Sequence, residues 1–255
     1  MPVSGVRWSP DGYVLSFTTG EPGESPRLWD LVTNGPLTTW NTRLAGASAV
    51  AFSPDRLIVA AGYPDGTATL WNSNTGQAIQ TLDVTGVVNA EGIVGLEFSP
   101  DGARLATFSG PGEPWVVLWD AQTGDALGTY TPVGLIAGPV AYPVMSPDWH
   151  YLAWVSRGTV ILVDPDTGLE VERFNHEDFV VGVSFTPDSR LLATSSAKTL
   201  NGVFSPVVSL WNAENGALIL DQPGFESPPL VAFSPDGTLL ATAWGTLLET
   251  WIIGP

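Results

Sequence analysis

Cysteine is absent from the 255 residues. That excludes disulfides, thiolate metal sites and cysteine nucleophiles, and it leaves the compartment open. Lysine occurs once, at Lys198, and nine basic residues stand against 26 acidic ones, a formal net charge of −17. Such a surface repels phosphate backbones and anionic membranes, so neither nucleic acid nor a membrane is an expected partner. The plain consequence of the charge is solubility; the sharper one is a basic partner. No apolar run approaches the ~18 residues of a membrane helix. The N-terminus, MPVSGVRWSPDG, lacks the basic and apolar regions of a signal peptide, which tilts the expected location toward the cytoplasm.

What the chain does have is 44% hydrophobic residues with 11 Trp, enough for a core, and 28 Gly and 22 Pro, which suit short strands joined by tight turns. The stretch Gly92–Gly124 shows the unit. Val94, Leu96 and Phe98 alternate with Gly95 and Glu97, a period of two that predicts a strand with one buried face. Ser99-Pro100-Asp101-Gly102 supplies a turn: Pro presets φ, Asp bonds its own backbone, and Gly accepts a left-handed position. Arg104 to Phe108 and Trp115 to Trp119 predict two more strands, and Asp120 to Gly124 a second turn, giving an antiparallel meander.

The unit recurs. The first turn starts at Trp8, Phe52, Phe98, Met145, Phe185 and Phe233, at spacings of 44, 46, 47, 40 and 48. Its aspartates are Asp11, Asp55, Asp101, Asp148, Asp188 and Asp236, followed by Gly at Gly12, Gly102 and Gly237. Arg56, Trp149 and Ser189 replace that Gly in the other three copies; a left-handed position there costs on the order of 1 kcal/mol relative to Gly, and some of these turns are expected to be of another type. A second signature follows each turn at Trp29, Trp71, Trp119, Trp211 and Trp251, with Val163 in the fourth copy, mostly as Leu-Trp-Asp/Asn leading to Thr-Gly. A period in the mid-forties fits a four-stranded blade.

The (F/W)SPDG turn paired with LW(D/N)xxTG resembles the WD-repeat β-propeller family over essentially the whole chain. The resemblance implies an all-β propeller of six four-stranded antiparallel blades in a single domain, at about 3–42, 46–83, 92–131, 138–175, 179–221 and 228–255. It implies a rigid platform for proteins or peptides, and no cofactor. The family's Gly-His dipeptide, whose His joins a network reaching the Trp, is missing, so that network is expected to be absent or altered. The first five copies offer a fourth strand, such as Pro36 to Trp40 or Ala78 to Leu82; the sixth does not, which makes 23 strands and a three-stranded last blade, completed from elsewhere or left open. An open edge of that kind could pair with a strand of another chain and give a dimer.

Catalytic sets are sparse. A Ser-His-Asp arrangement requires His150, just past a turn, or His176, in a loop read as solvated; no G-x-S-x-G elbow accompanies them. Asp164 to Gly168 looks like a calcium loop but lacks its third acid and closing Glu, and it aligns with the ordinary second turn. The acid pairs Glu21/Glu24 and Glu177/Asp178 read as solvated loop charges. No catalytic, cofactor or metal residue is assigned.

The loops between second and third strands vary in length, the fifth being longest through the insertion Lys198–Pro206. Function concentrates on such loops, and aromatics and Arg anchor interfaces. The expected partner-binding rim is therefore Tyr63, Trp115, Arg157, Lys198, Phe204 and Trp244. The leading expectation is a non-catalytic interaction scaffold, alone or as a module of a larger protein. The alternative is an enzyme or enzyme-accessory propeller, hydrolase- or lactonase-like, with carboxylates or a metal at the central channel.

Overall fold

A computed structural model describes residues 4–18, 25–86, 92–109, 115–131, 143–156, 158–200 and 203–253. Its fold class is the expected one: an all-β propeller of six antiparallel sheets, the last with three strands. The chain divides into two compact units, Met1–Thr131 and Pro132–Pro255, of three sheets each.

In the first unit, the first sheet comprises β1 (Ser4–Trp8), β2 (Val14–Thr18), β3 (Arg27–Asp30) and β4 (Gly35–Pro36). The second holds β5 (Ala49–Phe52), β6 (Ile58–Gly62), β7 (Thr67–Asn72) and β8 (Ala78–Asp83). The third holds β9 (Ile93–Phe98), β10 (Arg104–Ser109), β11 (Val116–Asp120) and β12 (Ala126–Tyr130). In the second unit, the fourth sheet comprises β13 (Val144–Met145), β14 (Leu152–Ser156), β15 (Thr159–Val163) and β16 (Glu170–Asn175). The fifth comprises β17 (Val180–Phe185), β18 (Leu191–Leu200), β19 (Val203–Asn212) and β20 (Leu218–Pro223). The sixth has β21 (Leu230–Phe233), β22 (Leu239–Trp244) and β23 (Leu247–Ile252), and among the described residues β23 pairs with β22 alone.

Apolar side chains from adjacent sheets meet in shared cores. Leu70, Leu82 and Ile93 join Leu105, Trp115 and Val117 between the second and third sheets. Leu162 and Phe174 join Val180, Phe185 and Leu192 between the fourth and fifth. Full burial of such a side chain contributes about 1.5–3 kcal/mol, so these contacts, rather than single turns, hold neighbouring repeats together.

Three local details differ from the sequence reading. Val94 was expected on the buried face with Leu96 and Phe98, but Ile93 takes that place at 0% exposure while Val94 is 40% exposed. The register shifts between Phe108 and Ser109, which pair with Gly95 and Ile93, and such a bulge swaps the face of every residue beyond it. The fourth strand expected over Pro36 to Trp40 is only two residues long, Gly35–Pro36; the Leu37 N–H still bonds to the Leu28 carbonyl, and a 3₁₀ turn, Thr38–Trp40, follows. The insertion Lys198–Pro206 is not a loose loop. It lengthens β18 and β19 into ten-residue strands paired out to Leu200 and Val203.

Candidate interaction surface

In a meander, the turn from first to second strand and the turn from third to fourth lie at the same end of the sheet. Here both are fixed by side chains. In every first turn the Ser or Thr hydroxyl donates to the Asp at 2.5–2.7 Å, as in Ser9–Asp11, Ser53–Asp55 and Ser146–Asp148. The same Asp Oδ1 accepts the backbone N–H two residues on, and the hydroxyl accepts another, as from Leu57 and Ile58 in the second copy. Charge-assisted bonds of this kind favour the ionised form. All six carboxyls are accordingly held below the ordinary range, Asp11 and Asp236 down to about 2. The hydroxyl is the largest cause in five. At Asp148 burial is the largest influence and opposes the shift, but the Ser146 hydroxyl and the His150 amide prevail. The second turns use Asp30, Asn72, Asp120, Asp164 and Asn212 in the same way, each Oδ1 accepting two backbone N–H groups.

The three turns without Gly are not of another type. Arg56, Trp149 and Ser189 sit at φ +64°, +63° and +61°, beside +72°, +71° and +72° for Gly12, Gly102 and Gly237. Each non-Gly residue makes a contact that Gly lacks, which offsets roughly 1–2 kcal/mol of left-handed strain. Arg56 Nη1 donates to Asp11 Oδ2 of the preceding sheet at 2.7 Å, Ser189 Oγ accepts from the Asp148 amide of the preceding sheet at 3.1 Å, and Trp149 is buried.

Between the first and second sheets this turn-bearing end opens into a cleft of about 420 Å³. Its apolar lining is Val14, Leu28, Leu37, Trp40, Phe52 and Val59; Asp11, Asp55, Arg56, Ser73 and Asn74 add polar groups. Beside the cleft β4 ends after two residues, whereas β8, the outer strand of the second sheet, has six.

Of the six expected rim residues, the side chains of Tyr63, Trp115 and Trp244 are described. Trp115 is 3% exposed in the core, where it offers a partner no surface. Tyr63 is half-buried, and its hydroxyl donates to the Arg43 carbonyl at 2.9 Å. Trp244, also half-buried, meets Phe225 edge to face at 4.9 Å between ring centroids. Lys198 and Phe204 stand on β18 and β19, opposite Ser205 and Thr199. Arg157 and the pair Glu21/Glu24 lie outside the described residues. Tyr63, Trp115 and Trp244 pack inward because strand-end rings in stacked sheets fill the space between neighbours, a packing demand that short-range sequence pattern does not reveal.

A network reaching the Trp, expected to be absent or altered, is present in the fifth repeat without the Gly-His dipeptide. His176 Nε2 and Thr194 Oγ1 are 2.8 Å apart, and Trp211 Nε1 donates to the same oxygen at 2.9 Å. His176 also meets the Trp211 ring edge to face at 5.4 Å. The loop read as solvated is thus partly buried. Gly before His was too narrow a criterion; the usable signal was His nine residues before Phe185. In the third and sixth repeats Thr107 and Thr242 accept from Trp119 and Trp251, and Phe225 packs on Trp251. His150 Nδ1 lies 3.2 Å from Asp148 Oδ2.

Sequence reasoning passed over Glu97 as a titratable group. Burial pushes its carboxyl up to about 7, against the pull of Arg7. At its position, one residue before the first turn, the other repeats carry Arg7, Ala51, Val144, Ser184 and Ala232. One acid in six positions does not make a convergent carboxylate site.

The WD domain, G-beta repeat family model matches residues 35–72 and 169–201. These two stretches are WD repeats, and with the six-sheet propeller they support a WD-repeat β-propeller family. Over 232 residues this WD-repeat chain is 25% identical to periodic tryptophan protein 2 of Arabidopsis thaliana, covering 85% of the chain and 23% of that protein. Over 125 residues it is 33% identical to small ribosomal subunit protein RACK1y of Oryza sativa subsp. japonica, covering 48% of the chain and 34% of that protein. The WD-repeat chain therefore spans a quarter to a third of these relatives. Its fold is similar to a chain in a crystal structure of the mitotic checkpoint complex, with TM-score 0.72 at 21% identity over 98% of this chain and 74% of that one.

Proposed function

We propose that this WD-repeat chain is a non-catalytic protein-interaction scaffold. The observation that carries the reading is the turn-bearing end, where side-chain bonds within each turn hold a preformed surface. A surface already ordered before binding loses little conformational entropy when a partner docks. The similar proteins carry names of assemblies, a ribosomal subunit and a checkpoint complex, which supports a protein partner by analogy. The net charge of −17 favours a basic one.

The test is capture from a lysate of the source cells on the immobilised chain, followed by purification of the retained protein and calorimetric titration. A saturable complex with a purified protein is expected. If no retained protein binds saturably once purified, the scaffold reading falls.

A further inference from the structure

We propose that the cleft between the first two sheets takes an extended partner segment, with one aliphatic or aromatic side chain on its floor and a neighbouring Lys or Arg at Asp55. This rests on the scaffold reading and names the chemistry of its partner.

Three observations converge. The cleft volume, about 420 Å³, falls in the range of roughly 300–1,000 Å³ that holds specific ligands on apolar walls with a few polar groups. Its floor is firm: Leu28, Trp40 and Val59 are buried, and Val14, Leu37 and Phe52 pack against the same core. A side chain entering it meets an apolar surface that is already in place.

The mouth selects charge. Arg56 and Asp11 neutralise each other at 2.7 Å. Among the described residues Asp55 has no such cation. Its Oδ1 takes both donors of its own turn, the Ser53 hydroxyl and the Leu57 amide, and Oδ2 stays available to a ligand. The Ser53 hydroxyl holds this carboxyl below the ordinary range, so it is charged at physiological pH. The mouth therefore carries one net negative charge on a chain of net charge −17. An anion would have to displace Asp11 from Arg56 with Asp55 close by.

The backbone at the mouth is also built at a cost. Arg56 adopts a left-handed conformation and Ser73 Oγ donates to its carbonyl, tying the first turn of the second sheet to the second turn of that sheet. Strained non-Gly positions persist where their surroundings over-determine them.

The test is an NMR titration of the isotope-labelled full chain with two blocked peptides, acetyl-Gly-Leu-Arg-Gly-amide and acetyl-Gly-Leu-Glu-Gly-amide. With the Arg peptide, saturable shifts are expected at the Trp40 indole N–H and the Arg56 and Ser73 amides. The Glu peptide should bind at least about tenfold more weakly. Asp55→Asn keeps an acceptor for the turn and should remove most of that difference. Asn74→Trp, at an exposed position, should block both peptides. Shifts that do not saturate, equal affinity for the two peptides, or shifts away from the cleft would each overturn the proposal. Because the titration uses the purified chain alone, a failed titration beside a partner that still binds in the calorimeter discards the cleft and leaves the scaffold. Peptide binding without any captured partner does the reverse.

Discussion

Arg56 reaches across from the first turn of the second sheet to the carboxylate of Asp11 in the first turn of the first, 2.7 Å away, from a backbone at φ +64°. The contact uses the one turn position that its repeat should reserve for glycine. Replacing Arg56 by Gly removes left-handed strain of roughly 1–2 kcal/mol, loses an exposed ion pair of about 0.2–1 kcal/mol and adds the unfolded-chain entropy of Gly, about 0.4–1 kcal/mol. The gain and the losses nearly cancel. Urea unfolding of Arg56→Gly should therefore match the parent within about 0.5 kcal/mol.

The same pair can be followed by titration. The Asp11 carboxyl is at about 2, held there first by the Ser9 hydroxyl and then by Arg56. Carboxyl NMR shifts should place its midpoint near that value in the parent and closer to 3.8 in Ser9→Ala, with a smaller rise in Arg56→Gly. Because the folded state lowers this pKa, the stabilisation it brings is present above about 3.8 and is lost as pH falls through about 2.

Glu97 has the opposite sign. Its folded pKa of about 7 stands above 4.5, so the fold prefers the protonated acid and loses stability as pH rises between those values. Glu97→Gln should be nearly indistinguishable from the parent near pH 4 and more stable by about 1–3 kcal/mol at pH 8. Part of the side chain still touches solvent, so the lower half of that range is expected. Denaturant melts at the two pH values measure it. A constant difference at both would mean that ionisation is not the cause.

Thr194 should be costly to alter. Thr194→Val leaves Trp211 Nε1 and His176 Nε2 without their shared partner. One unsatisfied buried group costs about 1–3 kcal/mol, and the whole variant should fall at or above that range in thermal unfolding. Thr194→Ser keeps the hydroxyl and should lose about 1 kcal/mol or less.

Trp115→Ala separates core from surface. Removing a Trp that is 3% exposed should destabilise the chain by about 3–5 kcal/mol. Affinity for a captured partner, measured well below the melting temperature, should change less than twofold. A large loss of affinity in a folded variant would return Trp115 to the interface.

The strands, turns and repeat count were legible because they rest on short-range chemistry. Ser99 and Asp101 form their bond across two residues, and Asn72 caps a turn ending at Gly76. What could not be read were contacts between residues far apart along the chain. The Arg56–Asp11 pair spans 45 positions, and only that reach explains why an arginine stands where glycine would be easier. His176 and Thr194 are separated by 18 positions, and their meeting depends on the packing of Trp211. The cleft is lined by residues of two sheets, from Val14 and Leu28 to Phe52 and Val59, which no local pattern brings together.

Turn-to-turn contact recurs beyond Arg56. A Cβ placed on Gly102 would lie 3.4 Å from the Pro54 ring, and one on Gly237 3.3 Å from that of Pro187. Within each unit, then, successive repeats touch at the corresponding link of their loops. Stacks of repeats otherwise behave as nearly independent beads coupled to their nearest neighbours. Stitching each bead to the one before it raises the coupling relative to the bead's own stability, so that amide protons on adjacent repeats should exchange as one cooperative block and a lesion in a single turn should be felt one repeat away.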